Sequence, residues 1–171
     1  MAQSERNKMS QMQTNMRILK PSRKKNKAGS VFVLQMPDGW FSFGRLVNTD
    51  VNAGMGPGAQ LIYVFKFRSK FKDLPERAEL RSDQLLLSPI MTNRLPWSRG
   101  YFETIAEIPF EEGEILKQHC FRDSVFDRYR DEQGNELPES VEPVGRYGLH
   151  SFRTIDDAIS KALDIPLIPE E

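Results

Sequence analysis

The 171-residue sequence is poor in the residues from which chemical sites are most often built. It has one cysteine, Cys120, so no intramolecular disulfide can form and a reducing compartment suits it. Its two histidines, His119 and His150, together with that cysteine fall short of a structural zinc site. His119 and Cys120 are adjacent, so on a strand they point to opposite faces. A nucleophilic pair would have to bring Cys120 to His150 and add an orienting group, and no spacing points to one. No apolar run approaches the roughly 18–20 residues that cross a bilayer, and no membrane partner is expected. The polar N-terminus lacks the apolar stretch of a secretory leader, so the expected location is cytoplasmic. The glycines of Asn48–Gln60 lack both the Gly-Lys-Ser/Thr of a phosphate loop and Rossmann spacing, and read as a mobile connector. The acids of Asp123–Glu136 do not alternate around a central glycine as a calcium loop requires. No cofactor, metal or catalytic residue is expected.

What the chain has is charge, unevenly spread. Lys and Arg equal Asp and Glu at 24 each, so the formal net charge is zero. Met1–Ala28 carries eight bases and one acid, Gly29–Phe102 nine and six, and Glu103–Glu171 seven and seventeen. Such asymmetry points to charged partners. Residues 1–28 read as a basic, disordered tail, or as a short helix over Gln11–Leu19 that forms on contact. Arg23, Lys24, Lys25 and Lys27 could meet nucleic acid, although no aromatic residues interleave with them to stack on bases. Residues 29–171 read as one domain.

Val31–Leu34 and Trp40–Val47 flank Pro37-Asp38-Gly39, a strong hairpin signal. In the return strand Phe41, Phe43 and Val47 share the face expected to meet the core, with Arg45 the one polar member. Gly44 suggests a bulge or a close backbone approach. Leu61–Phe67 reads as a central strand covered on both faces. Ala78–Leu87 reads as a short helix, or as a turn followed by a strand at Gln84–Leu87, with Leu85, Leu86 and Leu87 buried either way. Gly100–Phe110 alternates as a strand that Pro109 ends, and Cys120–Arg130 reads as one more. Ser151–Ile165 has Ile155, Ile159, Ala162 and Leu163 at helical spacing, Thr154 as cap and Pro166 as stop.

The stretch GSVFVLQMPDGWFSFGRLV resembles the opening of the immunity protein 26 family, which guards bacteria against polymorphic toxins. The matching positions are Gly29, Val31, Phe32, Asp38, Gly39, Phe41, Phe43, Gly44, Arg45 and Val47, with Ser30 where the family usually has Asp. LIYVFKF, YFETIAEIPF and VGRYGLHSFRTIDDAISKAL resemble its later strands and closing helix. The resemblance implies a non-enzymatic protein that neutralises a cognate toxin by occlusion.

The expected fold is α+β: a strongly bent, mostly antiparallel sheet, with barrel-like closure left open, and a C-terminal helix packed on it. The expected function is immunity by binding a basic toxin, a nuclease being one candidate. The alternative is a nucleic-acid-associated module using the basic tail. The acids Glu111, Glu112, Asp131 and Glu132, with Trp40, Tyr129 and Tyr147 as aromatic anchors, form the expected partner surface. The oligomeric state is left open.

Overall fold

The run of β-branched and aromatic residues from Val31 to Phe67 forms three long strands in the computed structural model, which describes residues 14–169. Strands β1 (Ser30–Gln35), β2 (Phe41–Val51) and β3 (Ala59–Ser69) make an antiparallel meander. Strands β4 (Ile90–Thr92) and β5 (Glu103–Glu107) extend it on either side. A short helix, α1 (Leu95–Ser98), lies between those two in the chain.

A smaller sheet follows, from β6 (Cys120–Asp123), β7 (Arg128–Arg130), β8 (Glu136–Leu137) and β9 (Val144–Arg146). Strand β10 (Leu149–His150) then joins the edge of the first sheet, and helix α2 (Phe152–Ala162) closes the fold. The orders are β10-β4-β3-β2-β1-β5 and β8-β7-β6-β9. Only β10–β4 and β6–β9 are parallel among the described pairs. The expected class holds: mainly antiparallel sheet with a C-terminal helix. The sheets do not close into a barrel.

Both faces of the large sheet are covered, so β2 buries both of its faces and not only the one expected. On one side Phe32, Leu34, Leu46, Ile62 and Val64 meet Trp97, Phe102, Ile155 and Ile159. The rings of Phe32 and Phe102 stack at 4.2 Å, with Trp97 edge-on to both. On the other side Val31, Val47, Leu61, Tyr63 and Phe65 meet Phe121 of the small sheet. Gly44 is where the backbone and a side chain crowd: a Cβ there would sit 2.2 Å from Phe32 and 2.7 Å from the Tyr63 carbonyl. The register of β2 on β3 shifts beside it, so both parts of the expectation for this glycine are met.

Several local readings are corrected. Asn48–Gln60 is not a free connector: β2 and β3 run into it, Val51 and Ala53 are buried, and the Asn52 amide donates to the Glu132 carbonyl at 2.9 Å. Ala78–Leu87 resolves into a 3-10 turn at Arg77–Leu80 and a single bridge from Leu85 to Phe65. Leu85, Leu86 and Leu87 end half-buried. Cys120–Arg130 is a hairpin, not one strand, because Ser124–Asp127 turns the chain back. Ser151 caps α2 in place of Thr154, its Oγ accepting the Thr154 amide at 3.2 Å.

The boundary at residue 28 also moves. Residues 1–13 lie outside the described residues, but Thr14, Asn15 and Met16 are buried, and Thr14–Leu19 is not helical. This strap is stitched down by amides of Arg17, Leu19 and Ser22, which donate to the carbonyls of Gln35, Gly100 and Trp97. Gly100 allows its passage, since a Cβ there would stand 2.8 Å from the Pro21 nitrogen. The carboxylate of Asp156 on α2 accepts the Asn15 amide at 2.9 Å and the Met16 amide at 2.7 Å. Burial raises the pKa of this carboxyl above its ordinary range, against the pull of the two amides.

Replacing Asp156 by alanine leaves both amides buried without an acceptor, so urea unfolding should show a loss of about 1–3 kcal/mol. Amide exchange at Asn15 and Met16 should accelerate with it. A variant as stable as the parent, with both amides still protected, would show that the strap is held by other contacts.

Candidate functional site

Arg45, the one polar residue on its expected face of β2, is 1% exposed. A buried guanidinium must find acceptors for its donors. Its Nε donates to the Gly29 carbonyl at 3.2 Å, and its Nη2 to the carbonyls of Ile108 at 2.8 Å and Pro109 at 3.2 Å. Its Nη1 donates to Glu114 Oε1 at 3.1 Å, and the Phe110 ring lies 4.2 Å from the guanidinium carbon. Burial lowers the pKa of Arg45, and Glu114 opposes that shift.

Glu114 is itself 3% exposed. Its Oε1 also accepts the Glu111 amide at 2.8 Å, and its Oε2 lies 3.4 Å from Arg77 Nε. Arg77 in turn donates to the Pro109 carbonyl at 2.8 Å and pairs with Glu111 at 3.1 Å. Two arginines from the large sheet and its 3-10 turn thus fasten residues 108–114, which contain no regular secondary structure of their own.

The next residues are held by a second buried chain of polar groups. The Leu116 amide donates to the Tyr63 hydroxyl at 3.1 Å. That oxygen lies 2.6 Å from His119 Nε2, and His119 Nδ1 lies 3.1 Å from Glu132 Oε2. The phenol oxygen thus meets both the Leu116 amide and the imidazole, and the imidazole's other nitrogen faces the Glu132 carboxylate. Burial pushes the Tyr63 phenol up to about 12. The His119 hydrogen bond lowers the pKa of the Glu132 carboxyl and outweighs its burial.

Between these anchors Ile115–Gln118 stands as a ridge with a hollow on each side. One hollow, of about 740 Å³, is lined by Arg81, Glu112, Lys117, Val141 and Glu142. The other, of about 340 Å³, is lined by Val47, Asn48, His119, Asp131 and Glu132. Ile115, Leu116, Lys117 and Gln118 border both. The acid pairs Glu111–Glu112 and Asp131–Glu132 are therefore gathered around one loop, although the two pairs are apart in sequence. Asp131 holds its own turn by accepting the amides of Gln133 and Asn135, each at 2.9 Å.

The three aromatic candidates line neither hollow. Trp40 sits at the β1–β2 turn near the Lys70 ammonium, and Tyr129 near the Arg122 guanidinium. Tyr147 packs beside Gly54 and Gly134 near Arg130. Four organising residues, Arg45, Tyr63, Glu114 and His119, were not among the expected site residues. Only Arg45 carried a signal, as the lone charge on an apolar face. Cys120 is buried, and its sulfur accepts the Val141 amide at 3.5 Å. Among the described residues no group of three His, Cys, Asp or Glu side chains is placed to hold a metal ion, and no helix is long and apolar enough to cross a membrane.

The fold and this surface define a mainly antiparallel β-protein that presents a braced, acid-flanked ridge. The chain belongs to the immunity protein 26 family: residues 27–131 match the family model described as Immunity protein 26. The match runs from just before β1 through β7 and takes in Arg45, Tyr63, Glu114, His119 and Asp131. The likeness in the closing segment, Val144–Leu163, lies beyond it. No curated protein and no solved structure matches the chain.

Breaking a buried ion pair on one side strands a charge, so Arg45→Met should lower stability by about 3–5 kcal/mol. Adding Glu114→Leu should restore much of that loss. A denaturation cycle in which the two changes simply add would show that the pair is not coupled.

Glu132 gives a pH signature. Its folded-state pKa is lowered, so its contribution is complete above the ordinary value, about 4.5, and disappears as pH falls through the lowered one. The melting temperature of the parent should therefore drop below pH about 4.5 more steeply than that of Glu132→Gln. Equal slopes would remove Glu132 from the acid response.

Proposed function

We propose that the chain binds a bacterial toxin in the cytoplasm and neutralises it by covering its active surface, with the ridge at Ile115–Gln118 and the acids around it as the face that meets it. The observation that carries this reading is the braced ridge itself, around which two carboxylate pairs, Glu111–Glu112 and Asp131–Glu132, gather in a member of an immunity family. A loop fixed before contact loses little conformational freedom on binding, which favours affinity. Ile115, at the crest, is 38% exposed and supplies an apolar point of contact.

The charge balance supports a basic partner. Residues 103–171 hold ten more acids than bases, seventeen against seven. Arg77 neutralises part of Glu111, and His119 engages Glu132. Glu112 and Asp131 have no ion-pair partner among the described residues, and they, with Glu142, carry the outward field. Such a field speeds encounter with a cationic surface and makes it salt-sensitive. In this reading the protein carries out no reaction, and Trp40, Tyr129 and Tyr147 lie outside the contact.

The test is co-expression with basic toxin domains encoded in the same locus. The parent chain should rescue growth, and Glu112→Lys/Asp131→Lys should lose rescue while keeping its fold. With a purified pair, the association rate should fall about tenfold or more for the double variant at low salt. Full rescue by the double variant would move the contact away from the ridge.

A further inference from the structure

The basic run that begins at Lys20 is not absorbed by the function above, and the structure gives it a place. Where the strap crosses β5, at one edge of the large sheet, it encloses a hollow of about 250 Å³. Lys20, Ser22, Lys24 and Lys25 border it from the strap, and Trp97 and Thr104 border it from the domain.

Two observations give this hollow a ligand chemistry. The first is charge. Glu103 and Glu107 also border it, but Glu103 pairs with Lys72 at 3.0 Å and Glu107 lies 4.0 Å from Lys27. Among the described residues, Lys20, Lys24 and Lys25 have no carboxylate within 4.0 Å, so an excess of positive charge faces the space. The second is order. The Ser22 amide donates to the Trp97 carbonyl at 3.0 Å, and Ser22 Oγ accepts the Lys24 amide at 3.2 Å. The backbone under the lysines is therefore set before any ligand arrives. Trp97 also gives the wall of the hollow a reporter. Trp97 is 2% exposed, and its indole N–H is buried with no acceptor among the described residues.

We propose that this hollow binds a phosphate group, held by the ammonium groups of Lys20, Lys24 and Lys25 and by the Ser22 hydroxyl. Lysine is a compact point charge suited to such an oxyanion. The space is below the ~300–1,000 Å³ of usual small-molecule sites, which suits a phosphate or diphosphate better than a whole nucleotide. A free phosphate compound and the backbone of a nucleic acid share this chemistry. The inference does not rest on toxin binding, because the hollow and the ridge share no lining residue.

The test titrates inorganic pyrophosphate into the full-length chain at low salt and follows the two tryptophan indole N–H resonances by NMR. Trp97 should shift and saturate, while Trp40, at the far turn, stays still and reports an intact fold. Lys24→Ala/Lys25→Ala should weaken the titration about tenfold or more. A single-stranded oligonucleotide that displaces pyrophosphate, with an affinity falling steeply as salt rises, would assign the phosphate to a nucleic-acid backbone. Failure to displace it would assign the site to a free phosphate compound. An unmoved Trp97 resonance, or a titration unchanged in the double lysine variant, would overturn the site.

Discussion

A guanidinium cannot be taken out of water unless its donors are satisfied, and Arg45 satisfies its own by drawing a loop onto the sheet. Its partners are the Gly29 carbonyl at the start of β1, the Ile108 and Pro109 carbonyls just beyond β5, and the Glu114 carboxylate. One side chain thus ties the first strand, the edge strand beside it and the loop between the two sheets. Apolar packing would cover the sheet equally well but would not fix the path of residues 108–114. The ridge that follows has a defined shape because this pair sits at one end and the Tyr63–His119–Glu132 chain at the other.

The fold around that pair is a sheet with two unlike covers. One cover is aromatic and helical, built from Trp97, Phe102, Ile155 and Ile159, with Met16 of the strap added to it. The other is the small sheet, joined through Phe121 and through polar groups. The ridge and the lysine-bordered hollow depend on different covers. The ridge lies on the small-sheet side, while the hollow depends on the strap and on Trp97. Arg45 governs the first, and the carboxylate of Asp156 helps to hold the chain segment that leads to the second.

The parts of the fold that could be read in the sequence were those set by local rules. The Asp-Gly hairpin, the Leu61–Phe67 strand and the Ile155–Ile159 helix each follow from spacing within about ten residues. Glu111, Glu112, Asp131 and Glu132 could be picked out because the acidic balance of the second half is a compositional signal. What brings them together could not, because Arg45 and Glu114 are 69 residues apart and Tyr63 and His119 are 56 apart. Nothing in a single sequence marks Glu114 among its neighbours Glu111 and Glu112 as the one to be buried. The strap was missed for a similar reason. Its composition is that of a solvated tail, and its order comes from amides donating to Asp156, more than a hundred residues away. Trp40, Tyr129 and Tyr147 lie apart from the two hollows because they belong to the β1–β2 turn, to β7 and to the segment after β9, a placement that long-range topology sets.

Native-state hydrogen exchange on the isolated chain tests most directly whether buried polar groups make this irregular loop rigid. The amides of Glu111 and Leu116 donate to Glu114 and to Tyr63, so they should open only with global unfolding, at the same free energy as the amide of Leu86, which donates to the carbonyl of buried Val64. Exchange of those two amides at the rate of an unstructured loop, with Leu86 still protected, would contradict the account.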